Sequence, residues 1–449
     1  MKRIGILTAG GDTPALNATV LGAVERANQL RIEVYGLLRG FNGLLHREAP
    51  HVHLNPLFHS IPELDATRGG TILGASRDYI GAEDTEAIAA AADRLNRLKI
   101  EGLICVGGDG TINGMIPVAE LIPCVLAPKT IDNDLGLNYL DEPNEWERLE
   151  ADGEAVSYRK RPGRAFGLDE MINFVTPGYA TAVYVSSLNI QRIRTTAESH
   201  GRIAIIEVMG RDCGMIALGA AYGQPDVILV PESPVDPDSL AARVKALLDI
   251  QRHAVLCISE GIVDREGNHL GAVQASKDPA GNIIYTGAAE AVQRMLVERI
   301  GGQGIEASIF TRKIGHTQRG GRPILFDRYY ATQLGGQAVD LLVEGLHNCM
   351  ATLEYRDGGM TLDGIPIHKL RDRWGTVHAR PMPLSFYDAA RFRPSELGIE
   401  YLRAIFSNAL GADDLESQRS VFEVGNLIHP YYSVNVDIAK RVRLLRVEP

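Results

Sequence analysis

The sequence predicts an α/β protein: two doubly wound lobes with mainly parallel sheets flanked by helices, plus a C-terminal extension. Three observations carry this. Short apolar runs at residues 4–7, 102–106 and 124–127 each lead into a polar, flexible turn. These turns are Gly10-Gly11-Asp12, Gly107-Gly108-Asp109-Gly110-Thr111 and Pro128-Lys129-Thr130-Ile131-Asp132-Asn133-Asp134. Each run therefore reads as a buried parallel strand that ends in a turn. Strand-like and helix-like patterns also alternate through most of the chain, which implies parallel sheets covered on both faces. Finally, 449 residues exceed one ordinary core and suggest two lobes with an appendage.

The elements follow in order. Residues 17–30 have helical periodicity directly after the first glycine turn, and 84–98 form a second, alanine-rich helix. Residues 181–199 read as a long helix and 202–208 as the strand after it. Further strands are expected at 227–230 and 253–258. These divide the chain into a first-lobe part at 1–134, an insert at 135–173, a second-lobe part at 174–348 and an extension at 349–449. The insert carries many charges and few periodic apolar positions, which suits either a flap over a cleft or a surface excursion. The extension contains a helix-like stretch at 395–409 and the pair Tyr431-Tyr432, but no chemical motif. It reads as packing or subunit contact. There are no heptads, internal repeats or low-complexity tracts.

Composition excludes several classes. Lysine and arginine number 46 against 56 acidic residues, a formal charge of −10, which argues against nucleic acid as a general partner. Any phosphate site must gather its own local cations. No apolar run reaches the ~18 residues of a membrane helix. The N-terminus, Met1-Lys2-Arg3-Ile4, enters a strand without a signal-peptide core. The five cysteines, Cys105, Cys124, Cys213, Cys257 and Cys349, are irregularly spaced, and four lie in or beside apolar runs. They are expected to be buried free thiols. Together these absences point to the cytoplasm.

The three turns point to phosphoryl transfer. Glycines let a backbone approach a phosphate closely, and carboxylates after them can hold magnesium or take a proton. On one sheet, the turns would share its carboxyl edge, where open α/β folds bind ligands. Asp132 is the candidate general base, because phosphorylating a hydroxyl requires something to accept its proton. Read in isolation, Asp132 and Asp134 would simply cap a turn. Asp109, between Gly108 and Gly110, suits magnesium on donor phosphates. The absence of Gly-x-Gly-x-x-Gly and of Gly-x-x-x-x-Gly-Lys-Ser/Thr argues against a dehydrogenase or a P-loop enzyme.

At these residues the chain resembles the phosphofructokinase family, from about residue 3 to about residue 345. The likeness covers Gly10-Gly11-Asp12-Thr13-Pro14-Ala15-Leu16-Asn17, Arg68-Gly69-Gly70-Thr71 through Ser76-Arg77, and the two later turns. It continues with Met209-Gly210-Arg211, Pro231-Glu232, Ser259-Glu260-Gly261 and Gly315-His316-Thr317-Gln318-Arg319-Gly320-Gly321. The resemblance implies two Rossmann-like lobes facing each other across a cleft. One would take the phosphoryl donor and the other the sugar phosphate. It implies a 6-phosphofructokinase that uses ATP and Mg2+ to make fructose 1,6-bisphosphate in glycolysis, as a homodimer or homotetramer. Asp132 matches the catalytic base, with Thr130 and Asp134 orienting phosphate and metal, and Arg211 steadying the transition state. Asp109 matches the metal residue. Gly11, Arg77, Gly110, Thr111, Gly114 and Lys129 match donor-binding positions. Arg202 and Arg319 match the pair that clasps the sugar's phosphate, one of them from a neighbouring subunit. Met209, Gly210, Glu260 and His316, with Thr130, Asp132 and Arg211, match sugar-contacting positions.

Some positions depart from the family. An arginine usually stands six residues before the histidine of the Gly-His-x-x-Arg segment; here it is Phe310, with Arg312 and Lys313 nearby. The two arginines of the bacterial effector site are replaced by Leu21 and Glu25. Two positions bear on the donor. Pyrophosphate-dependent relatives usually have aspartate where this chain has Gly110, which leaves room for a nucleotide α-phosphate. Lys129 is the residue usual in those same relatives. The combination looks like that of plant and trypanosomatid ATP-dependent members. ATP is the reading adopted. The alternative is pyrophosphate as the donor, or another acceptor such as sedoheptulose 7-phosphate.

Overall fold

A computed structural model describes residues 1–46, 48–76, 78–149, 157–271, 276–277, 283–284, 287–301, 308–423 and 431–443. Two mainly parallel sheets organise the chain. The larger has seven strands in the order Gly359–Pro366, Cys349–Arg356, Cys124–Pro128, Gly102–Gly107, Arg3–Thr8, Glu33–Leu37, His51–His53. The five inner strands are parallel, and the two edges are antiparallel. The inner strands Gly102–Gly107 and Cys124–Pro128 are buried along their whole length, so they show no alternation in sequence. The smaller sheet is wholly parallel, in the order Ile309–Lys313, Ile203–Val208, Ala254–Ser259, Val227–Leu229.

Helices take the expected places. The expected 17–30 helix is Leu16–Gln29, 84–98 is Thr85–Leu98 behind an Asp84 cap, and 181–199 is Tyr179–His200. The chain returns to the first lobe through the helix Leu325–Val343. This helix crosses Leu16–Gln29 so closely that a Cβ on Gly22 would strike the Thr332 carbonyl. Only a glycine allows that crossing. All five cysteines are buried free thiols, as the sequence implied. Among the described residues, no helix is long and apolar enough to cross a membrane.

The extension does more than cover the surface. Its first two strands, Cys349–Arg356 and Gly359–Pro366, complete the larger sheet beside Cys124–Pro128. The helix-like stretch forms Glu396–Phe406, capped by Ser395. The insert packs against this segment. Its hairpin of Trp146–Leu149 and Ser157–Lys160 places Trp146 in a stack on His378, with ring centroids 3.9 Å apart. Phe166 lies 6.3 Å from Phe386. The described part of the insert is thus an ordered excursion held by the C-terminal segment.

Candidate active site

The three turns converge as their strands require. Strand order in the larger sheet reverses between Arg3–Thr8 and Gly102–Gly107, and the first two turns leave the carboxyl ends of these strands. Such a reversal opens a crevice. Gly10 has φ 78°, a left-handed conformation that glycine adopts without steric cost. Gly108 caps the helix Asp109–Ala119, so Asp109 stands in a helical first turn rather than in an isolated loop. The positive end of that helix borders the crevice and favours anions. The third turn is joined to the second by the Lys129 N–H, which donates to the Gly107 carbonyl at 2.9 Å.

A cavity of about 420 Å³ lies between these turns. Gly11, Asp109, Gly110 and Thr111 of the glycine turns line it together with Lys129, Thr130, Asp132 and Asp134 of the third turn. Arg211 and Arg319 reach it from the second lobe. Arg319 lies close against the donor turn, with Nη1 3.4 Å from the Asp12 carbonyl. Gly114 lies just outside, packed under the Phe41 ring and the Tyr79 Cβ, and both of these residues border the cavity. Phe41 and Tyr79 carry no chemical motif of their own and meet only through the fold. Arg77 lies outside the described residues.

Charges in the cavity are strongly coupled. Lys129 is buried, and its ammonium donates to the Gly11 carbonyl. Burial, and then Arg319, push its pKa down to about 8, against the pull of Asp12, Asp132 and Asp109. Asp134 is pushed up to about 7, first by burial, then by Asp132 and Asp109, with Arg211 opposing. The Asp132 N–H donates to Thr130 Oγ1 at 3.0 Å. Asp132 Oδ1 and Thr111 Oγ1 are buried without hydrogen-bond partners among the described residues. The Thr111 hydroxyl could donate to a phosphate, and the Asp132 carboxylate oxygen could accept a proton or face a bound cation. No cluster of three His, Cys, Asp or Glu side chains able to hold a metal unaided occurs among the described residues. Phosphates would have to supply the remaining ligands.

The sugar-side residues gather at the carboxyl edge of the smaller sheet. Met209, Gly210 and Arg211 follow Ile203–Val208, Glu260 follows Ala254–Ser259, and His316 lies in the turn Gly315–Gln318 after Ile309–Lys313. Met209 N–H donates to Gln318 Oε1 at 2.9 Å. Arg211 has φ 51°, unusual for a non-glycine residue, and its N–H donates to Glu260 Oε1 at 3.3 Å. Burial, and then Asp132, push Glu260 up to about 7. Arg202 is not brought to this edge. It immediately precedes Ile203–Val208 at the amino end, about 20 Å away at strand rise, and is exposed.

Fold and site together define an α/β phosphotransferase with its donor turns at the switch point of one parallel sheet. A sequence model described as Phosphofructokinase matches residues 3–139 and 169–342, leaving the middle of the insert outside the match. The chain belongs to the phosphofructokinase family. It is 31% identical, over 84% of its length and 96% of the relative's, to a pyrophosphate--fructose 6-phosphate 1-phosphotransferase of Streptomyces coelicolor. It is 33% identical to ATP-dependent 6-phosphofructokinase 1 of Thermus thermophilus, over 78% of the chain and 89% of the relative. The fold resembles that of a pyrophosphate-dependent phosphofructokinase from Nitrosospira multiformis. That match has a TM-score of 0.69 and 20% identity, and covers 99% of this chain and 97% of that one.

Proposed function

We propose that the protein phosphorylates fructose 6-phosphate at the expense of ATP, giving fructose 1,6-bisphosphate in glycolysis, with Asp132 as general base. The observation that carries this reading is the buried, unpartnered Asp132 Oδ1 in a cavity bordered by the donor turns and Arg211. A sugar hydroxyl entering from the second lobe would give its proton to this oxygen as it attacks the terminal phosphate. Thr130 and Asp134 would orient the transferring group, and Arg211 would offset the charge that develops on it. Magnesium held by Asp109 would neutralise donor phosphates. Glu260, His316, Met209 and Gly210 would seat the sugar. Arg319, with Arg202 of a neighbouring copy, would hold its phosphate, which requires a homo-oligomer.

Two features support ATP. An added Cβ at Gly110 would meet nothing within 4 Å, so space is open where an α-phosphate would lie. Phe41 and Tyr79 give the cavity an aromatic end that suits a base and that pyrophosphate would leave empty. Lys129 favours the second reading, pyrophosphate, because its ammonium already sits at the donor turn. A coupled assay with fructose 6-phosphate and each donor tests the proposal. A preference for ATP is expected; a preference for pyrophosphate would overturn the donor assignment while leaving the role of Asp132 standing.

A further inference from the structure

The catalytic segment is held from behind by the C-terminal extension. Asn133, between Asp132 and Asp134, has φ 59°, and Asn173, at the far root of the insert, also has φ 59°. Asparagine enters the left-handed region more readily than other non-glycine residues, so it is the bonds around these two residues that fix them. Here the surroundings are specific. Arg380 is 2% exposed. Its Nη2 donates to the Asn133 carbonyl at 2.9 Å and its Nη1 to the Asn173 carbonyl at 2.7 Å. Its own N–H donates to the Asp134 carbonyl at 2.6 Å. Tyr401, fully buried, accepts from Asn133 Nδ2 at 2.6 Å and donates to the Phe174 carbonyl at 2.9 Å. Asn133 Oδ1 accepts the Thr176 N–H at 2.9 Å.

Two consequences follow. The guanidinium fork ties both roots of the insert together. The peptide carbonyls of Asn133 and Asp134 are both fixed, and with them the directions in which the flanking carboxylates leave the backbone. Burying a guanidinium against carbonyls costs desolvation that an apolar residue would not, so packing alone does not account for it.

We propose that Arg380 and Tyr401 are positioning residues that set the carboxylates of Asp132 and Asp134 for phosphoryl transfer. Neither touches the cavity; they act through Asn133. The inference rests on the reading of Asp132 as the base. The geometry it protects is sensitive, since a displacement of about 1 Å can cost about a hundredfold in rate.

The test compares Tyr401→Phe, Arg380→Lys and Arg380→Gln in the full chain, well below each variant's melting temperature. Tyr401→Phe should lower kcat about tenfold or more, with KM for fructose 6-phosphate within about twofold of the parent. Arg380→Lys, which keeps a cationic donor, should retain more turnover than Arg380→Gln. Should the Arg380 variants not fold, Tyr401→Phe decides alone. A kcat within twofold of the parent alongside a lowered melting temperature would show structural support only and overturn the proposal. A raised KM at unchanged kcat would do the same. Asp132→Asn serves as the control. An active Asp132→Asn removes the base assignment, whereas an inactive one beside a fully active Tyr401→Phe removes only the positioning role.

Discussion

The two glycine turns and the Asp132–Asp134 turn lie on neighbouring strands of one sheet, yet they are built differently. Gly108 and Gly110 present backbone and open space, while Gly11 lies under the Arg319 guanidinium with its carbonyl on Lys129. Gly10 is left-handed, and neither Gly108 nor Gly110 would bring a Cβ into close contact. Asp132–Asp134 is the reverse: its central residue is fastened through main chain and side chain to Thr176, Arg380 and Tyr401. A phosphate cradle needs close approach and N–H groups, which glycine supplies locally. A proton acceptor must be held at one distance and angle, which takes bonds from distant parts of the chain. The difference teaches that the first kind of site is written in a short motif and the second is not.

The largest effect should come from adding a side chain to the empty turn. Gly110→Asp should abolish ATP use while sparing or creating some pyrophosphate use. The new carboxylate would meet a nucleotide α-phosphate in a partly desolvated site, where like-charge repulsion is on the order of several kcal/mol. Folding should not suffer, because the position is open and an acid is favourable in the first turn of a helix. Initial rates with each donor, for parent and variant, decide it. Equal losses with both donors would mean that Gly110 does not discriminate between them.

On the catalytic turn, Asp132→Asn should lower kcat by at least about a hundredfold with little change in fructose 6-phosphate affinity. Steady-state kinetics that retain most of the turnover would take the base role away from Asp132.

A smaller, pH-dependent effect is expected at Glu232, which also joins the extension to the second lobe. It accepts the Gly214 N–H at 2.9 Å and the Met382 N–H at 2.8 Å. Burial nevertheless pushes it up to about 7 from an ordinary 4.5. Between those pH values the folded chain keeps a proton that the unfolded chain has lost. Its contribution is therefore full below about 4.5 and is lost as pH rises through about 7. Glu232→Gln should match the parent's melting temperature near pH 5 and exceed it by a few degrees near pH 8. A constant difference across that range would refute the linkage.

The smallest effect is an expected absence. Leu21 and Glu25, half-buried and exposed on Leu16–Gln29, cannot bind an anionic effector. Activity should be hyperbolic and unresponsive to ADP and phosphoenolpyruvate acting as they do on bacterial enzymes. Inhibition by phosphoenolpyruvate that disappears on mutating this helix would contradict it.

The sequence by itself determined the α/β class, the three turns and the residues they carry. Buried parallel strands are continuous apolar runs, and phosphate turns need glycine, so both leave marks a few residues long. It also carried Asp109, although not its place in a helix, because a helix start and a tight turn share the same glycine. Only the tertiary structure decided that Phe41 and Tyr79 border the cavity, that Arg202 stands at the far end of its strand, and that residues from 349 onward complete the first sheet. Arg380 and Tyr401 were illegible for the same reason. Each lies more than 200 residues from the Asn133 group it holds, and a hydrogen bond to a main-chain carbonyl or an amide imposes no local pattern. What binds a phosphate is encoded by neighbours in the chain; what aims a carboxylate is encoded by neighbours in space.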